Sequence, residues 1–190
     1  KFLDIGCSNG YWLDKLEKYG WDCTGVDFIG KSNAKIRIGN FLEMDFKEKY
    51  EFVRMSHVLE HVVDPEKYLF KIKSLLDDKG ECHISLPNTN SACCKIFGRY
   101  WFNLDVPRHI QNFNFKNLKI LIERNGLKIK KVQYNSRGSF KNCLLNFFSI
   151  FFNWNITDRF YIFTAISILI DKIFDIFKLG DSITLIVKNE

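Results

Sequence analysis

The stretch Phe2-Leu3-Asp4-Ile5-Gly6-Cys7-Ser8-Asn9-Gly10 runs directly into Tyr11-Trp12-Leu13-Asp14-Lys15-Leu16. Short strand-like character over Phe2 to Ile5 gives way to a turn with two glycines, and Trp12, Leu13 and Leu16 then share one face of a helix over Tyr11 to Tyr19. Such a turn lets a ligand approach backbone N–H groups at the positive end of the helix. The dinucleotide fingerprint GxGxxG wants glycine at positions 6, 8 and 11, but this chain has Ser8 and Tyr11. Its spacing is GxxxG, with Asp4 just before the first glycine. A second carboxylate, Asp27, closes Thr24-Gly25-Val26-Asp27, where it can accept both hydroxyls of a ribose. Ribose without pyrophosphate fits this pattern better.

Working outward, strand-like runs alternate with helix-like ones. Cys23 to Phe28, Ile36 to Ile38, Glu51 to Met55 and Glu81 to Leu86 read as strands, the last entered through Lys79-Gly80. Pro65 to Leu76 reads as a helix with Asp64 as N-cap and Pro65 at its first position. Asn114 caps a second helix from Phe115 to Asn125, closed by Gly126, and Leu127 to Tyr134 is again a strand. The pattern predicts an α/β domain, doubly wound, with a mostly parallel sheet covered on both faces. Between Gly138 and Gly180 the Phe-rich segments Leu144 to Phe152 and Phe160 to Phe177 read as two helices, and Ser182 to Val187 returns to strand. The reading is one domain over 1–190, with a C-terminal helical insertion at about 138–179 before the last strand, and with further sequence expected upstream of Lys1.

With 190 residues, 46% hydrophobic and 26% charged, the chain can bury one substantial core, which excludes a disordered or collagen-like protein. The net charge of +6 favours acidic ligands without the density of a dedicated nucleic-acid binder, so no DNA partner is expected. Six cysteines form no CxxC pair, which places the thiols in a reducing cytoplasm as small core residues. No signal peptide is visible. The apolar stretches Cys143 to Thr157 and Phe160 to Ile170 are interrupted by polar residues and fall short of a bilayer span.

Three segments together carry a resemblance: Leu3-Asp4-Ile5-Gly6-Cys7-Ser8-Asn9-Gly10, Gly25-Val26-Asp27 and Ser56-His57-Val58-Leu59-Glu60-His61-Val62. In order and spacing they are similar to the motifs of class I S-adenosylmethionine-dependent methyltransferases, most closely the ubiquinone-biosynthesis-like group, over Lys1 to about Tyr134 and again over Gly180 to Lys188. The resemblance implies a Rossmann-like fold and S-adenosylmethionine as cofactor. It implies that Asp4, Gly6, Cys7, Ser8 and Gly10 form the cofactor loop, and that Asp27 holds the ribose hydroxyls. Asn40 and Phe41 then stand beside adenine, and His57 contacts the cofactor. Few residues separate Asp27 from Asn40, so the usual second helix has little room and one side of the adenine pocket should be open.

A sulfonium methyl is already activated, so the enzyme must align an acceptor and, for a hydroxyl, remove its proton. Histidine suits that task near neutral pH. His109 is the expected general base, with Arg108 anchoring an acidic acceptor group, Asp105 orienting, and His61 among the catalytic residues; the alternative is that His109 caps the following helix and Arg108 pairs with a surface carboxylate. His57 and His61, four apart on a helix, would share a face beside Glu60, but packing or cofactor contact is preferred to a metal, and no metal is assigned. His83, inside a strand, is expected in the core. The two helices of the insertion are expected to pack on the sheet, on each other or across a homodimer interface, with a lid over the acceptor or a peripheral membrane face as the sharper reading.

The expected function is methyl transfer to a small-molecule or glycan acceptor, at oxygen. The alternatives are an RNA or protein methyltransferase, and an inactive cofactor-binding scaffold.

Overall fold

The computed structural model describes residues 1–152 and 161–190; the expected start of the second insertion helix, Phe160, lies outside the described residues. Seven strands form one sheet in the order β3-β2-β1-β4-β5-β7-β6. They are β1 (Phe2–Ile5), β2 (Cys23–Asp27), β3 (Ile36–Ile38), β4 (Tyr50–Ser56), β5 (Leu76–Pro87), β6 (Leu127–Asn135) and β7 (Ser182–Asn189). The helices are α1 (Tyr11–Glu17), α2 (Pro65–Leu75), α3 (Ala92–Phe97), α4 (Phe115–Arg124), α5 (Ser139–Phe152) and α6 (Tyr161–Ile176). The first five strands run parallel, and β7 enters antiparallel between β5 and β6. The mostly parallel, doubly wound α/β sheet and the late return of the chain into it are as the sequence predicts.

Alternation along the strands divides the side chains between two faces. Leu3, Ile5, Val53, Met55, Cys82, Ile84, Leu185 and Val187 meet Leu69 and Ile72 of α2 and Leu118 and Ile122 of α4 in the main core. Each such side chain, fully buried, contributes about 1.5–3 kcal/mol of transfer free energy. On the opposite face Phe2, Cys7, Leu13, Cys23 and Ile36 form a small core under α1. A third cluster, with Cys93, Phe97, Trp101 and Cys143, joins α3 to the insertion. All six cysteines are free thiols.

Local chemistry sets several boundaries. Asp64 accepts from the Lys67 N–H and Pro65 opens α2. Asn114 and Asn117 cap α4 reciprocally, and Gly126 follows with φ +67°. Elsewhere tertiary contact decides. β5 begins at Leu76, which pairs with Tyr50, rather than at Glu81; the irregularity before Glu81 needs Gly80, where a Cβ would lie 2.7 Å from the Tyr50 carbonyl oxygen. α5 begins at Ser139 rather than Leu144, because Asp171 of α6 accepts from the N–H groups of Gly138 (2.7 Å) and Phe140 (3.1 Å) and so caps it. No helix forms between β2 and β3, and Phe28 and Ile29 are exposed there.

Candidate active site

The loop after β1 holds Gly6, Ser8 and Gly10 at φ +76°, +51° and +80°. Gly6 is sterically required: a Cβ there would stand 2.3 Å from Cγ2 of Val58. Ser8 tolerates its left-handed conformation with its N–H donating to Asp27 Oδ2 at 2.7 Å. The N–H groups of Gly6 and Cys7 donate to the Val26 carbonyl, and that of Gly10 to the Cys7 carbonyl. The loop therefore satisfies these donors internally and offers close backbone approach instead of the N–H cradle the sequence suggests.

Beside this loop lies a cleft of about 710 Å³ at the carboxyl ends of β1, β2 and β4. Of the expected cofactor residues, Gly6, Ser8, Asp27, Asn40, Phe41 and His57 line it. Asp27 accepts from Ser8 and from the Ile29 N–H (3.2 Å), and each carboxylate oxygen keeps a lone pair for a diol. Asn40 caps the turn at Phe41, its Oδ1 accepting from Leu42 and its amide donating to Glu43 at 2.8 Å. Phe41 is buried against Tyr68, ring centroids 5.3 Å apart. The Asp27 carboxylate and the glycine loop stand side by side on the wall of the cleft with Phe41, so that the free lone pairs of Asp27 could hold a ribose diol and the Phe41 side a base. Sequence reading missed Tyr68, although its place one residue before the core residue Leu69 sets it at the edge of the buried face of α2.

Asp4, Cys7 and Gly10 are absent from the walls of that cleft. Asp4 is 0% exposed and bound by Arg54 Nη1 at 2.8 Å; burial raises its carboxyl pKa and Arg54 opposes the rise. Cys7 packs in the small core, and burial pushes its thiol up to about 12. Gly10 is the left-handed N-cap of α1, where an added Cβ would meet Ile36 at 2.9 Å. These three support the loop from beneath.

The histidines are distributed differently from the sequence expectation. His57 and His61 do not share a helix face, because His57 sits at φ +55° before a single turn of 3-10 helix over Leu59–His61. His57 is half exposed, and its Nδ1 lies 3.1 Å from Oε1 of Glu60, which is 1% exposed. In the tautomer with the proton on Nδ1, that N–H donates to Glu60 and Nε2 is left as an acceptor. His61 lines the cleft and donates from Nδ1 to the Arg108 carbonyl at 2.9 Å.

His109 and Arg108 line neither this cleft nor the second large cavity described below. His109 is largely buried, donates from Nδ1 to the Asn103 carbonyl at 2.8 Å, and stacks edge-on against His61 at 4.7 Å. Arg108 is exposed and pairs with Asp105 at 2.7 Å, the arrangement held open as the alternative in the sequence. Glu60, His61 and His109 each offer one ligand atom within 4.8 Å of the others, so these three, rather than His57 with His61, could hold a metal ion. Glu60 Oε2 has no partner among the described residues. His83 does not join the apolar core; it faces the opposite side of the sheet.

Comparison with known proteins agrees with this architecture. The chain is similar to the ubiquinone biosynthesis O-methyltransferases of Cereibacter sphaeroides (27% identical over 124 residues, 57% of this chain and 50% of the relative) and Bradyrhizobium diazoefficiens (29% over 129 residues, 60% and 51%). It spans about half the length of these curated relatives. A crystal structure of a SAM-dependent methyltransferase from Archaeoglobus fulgidus superposes with a TM-score of 0.63 over 99% of this chain and 85% of that one, at 18% identity, which shows the shared fold. The methyltransferase domain family matches residues 1–132, more than two thirds of the chain, and with this strand order the chain belongs to the class I S-adenosylmethionine-dependent methyltransferases.

Proposed function

We propose that the protein transfers a methyl group from S-adenosylmethionine to an oxygen of a small-molecule or glycan acceptor. The observation that carries this reading is the position of His57, exposed at the rim of the ribose-fitting cleft with a buried carboxylate on its Nδ1. S-adenosylmethionine carries no phosphate, which agrees with a loop whose Gly6, Cys7, Ser8 and Gly10 N–H groups are bonded within the protein rather than gathered into a phosphate cradle. When bound, the cofactor supplies an activated methyl whose C–S bonding pair leaves with sulfur as a neutral thioether. His57 Nε2 takes the acceptor's hydroxyl proton as the new C–O bond forms, and passes it to solvent. Glu60 is a positioning residue that fixes the tautomer of His57 and stabilises its imidazolium.

The proposal extends to a peripheral membrane contact. α6 exposes Ile166, Leu169, Ile173 and Ile176, with Lys172 on the same exposed side, while Asp171 and Asp175 turn inward to cap α5 and to accept from Ser136. An apolar face fringed by lysine and free of carboxylates suits an anionic lipid surface. No helix among the described residues is long and apolar enough to cross a membrane.

The test is calorimetric titration with S-adenosylmethionine and S-adenosylhomocysteine, beside an Asp27→Ala variant. Saturable binding that weakens by roughly tenfold or more in the variant supports the cleft assignment, since a charged hydrogen-bond partner is lost. Folded protein that binds neither compound overturns it in favour of a scaffold.

A further inference from the structure

Strand register places Asp4, Arg54 and His83 side by side across β1, β4 and β5, and Ser56, Ser85 and Thr184 side by side across β4, β5 and β7. Both rows lie on the face opposite the main core, since residues two apart on a strand point the same way. α1 covers one end of that face, and a cavity of about 640 Å³ lies over the rest, lined by Arg54, His83, Ser56, Ser85 and Thr184 of these rows, with Asp4 buried beneath Arg54. The lining is mixed: Phe2, Leu16, Phe52, Trp12 and Trp21 make it apolar on one side, and beside them stand two arginines, two histidines, hydroxyls and an amide, with no carboxylate among the described lining residues.

The cations are incompletely neutralised. Arg54 meets Asp4 through Nη1 alone, leaving Nε and Nη2 unengaged among the described residues, and its guanidinium lies 5.5 Å from the Trp12 ring. Arg137, exposed at φ +45° beyond β6, makes no ion pair or hydrogen bond among the described residues. His83 Nδ1 is buried and also lacks a partner. Burial, then Arg54, and more weakly Arg137, depress the pKa of His83, so both guanidiniums bear on one ring. The Ser85 and Thr184 hydroxyls stand 3.0 Å apart beside them. His57 lines both this cavity and the cofactor cleft, so a ligand here lies against the wall where the methyl acceptor must be.

Resting on the methyltransferase reading, we propose that this cavity is the acceptor chamber, and that it takes a hydroxylated, sugar-like acceptor carrying a carboxylate or a phosphate. Arg54 and Arg137 hold the acidic group; guanidinium forks match either anion in two-point contact. The Ser56, Ser85 and Thr184 hydroxyls pair with acceptor hydroxyls, and the indole faces take the ring's apolar side. One acceptor hydroxyl then meets Nε2 of His57.

The experiment is calorimetric titration of the protein, saturated with S-adenosylhomocysteine, by glucuronate, glucose 6-phosphate and glucose. It is repeated on Arg137→Gln, whose side chain is exposed, and on Arg54→Lys, which keeps the charge beside Asp4. At least one acidic sugar is expected to bind about tenfold tighter than glucose, and to lose most of that preference in Arg137→Gln and at high salt. The carboxylate and phosphate arms show which acidic group is selected. Equal binding of all three, binding of none, or a preference unchanged in both variants overturns the assignment. Failure to bind S-adenosylhomocysteine sinks the cofactor reading; binding of it with no sugar preference sinks only the chamber.

Discussion

His57 and Glu60 form a buried-carboxylate, exposed-imidazole pair, Nδ1 to Oε1 3.1 Å, in which the acid is 1% exposed and the ring reaches two cavities. Asparagine tolerates the left-handed backbone of position 57 and cannot take a proton. His57→Asn is therefore expected to fold, to retain saturable binding of S-adenosylhomocysteine, and to lose about 10²–10⁴ in kcat. Glu60→Gln should bind cofactor normally and alter the pH profile of kcat; an unchanged profile would reduce Glu60 to a packing role. Excess chelator should leave the rate intact. Loss on chelation with recovery on adding zinc would move deprotonation to an ion on Glu60, His61 and His109.

Gly6 and Val58 make a second pair whose fit is testable. Alanine at position 6 meets both a positive φ and a 2.3 Å clash with Val58 Cγ2, so Gly6→Ala should cost about 1–3 kcal/mol and weaken cofactor binding. Adding Val58→Ala removes the clash and not the backbone strain. Partial recovery of Tm in the double variant is expected; no recovery would place the whole cost in the backbone.

The folded-state pKa of His83 lies below its ordinary value of 6.5, through burial first and then Arg54 and Arg137. A histidine depressed in the fold contributes stability that is fully present above the unfolded pKa and is lost as pH falls through the folded one. Between about pH 7.5 and about pH 5, wild type should lose more Tm than His83→Gln. Asp4, Asp171 and Asp181, each raised by burial, act in the opposite sense and are common to both proteins, so the difference isolates His83. Parallel Tm curves would contradict it.

Vesicles test the exposed side of α6. Co-sedimentation with phosphatidylglycerol vesicles is expected, weaker with phosphatidylcholine, and abolished by Leu169→Gln with Ile173→Gln. If the wild type instead sediments as a dimer and the double variant as a monomer, the face joins two copies.

The amino-acid order by itself determined the elements whose signals are local. The short strand-like run over Phe2–Ile5, the Asp64-Pro65 start of α2, the Asn114 cap and the short link from Asp27 to Ile36 each act over a few residues, through steric and hydrogen-bonding preferences that survive in any context. The glycine loop was legible for the same reason: its glycines and the carboxylate that closes β2 mark a turn that must come close to another group.

Only the tertiary structure decided which side chains meet. The sequence pointed to His109 as the base and to His57 as a cofactor contact, yet Asn103 and His61 enclose His109 while the end of β4 presents His57 to two cavities. Asp171 lies in an apolar helix with no local signal for a role, and it caps a helix that begins 32 residues earlier. Arg54, His83 and Thr184 carried no sequence signal as a group; strand pairing across positions from 54 to 184 brings them onto one face. Periodicity encodes which way a side chain points from its own strand, whereas its neighbours depend on the order in which distant strands pair, and that order minimises the free energy of the whole sheet rather than of any one segment.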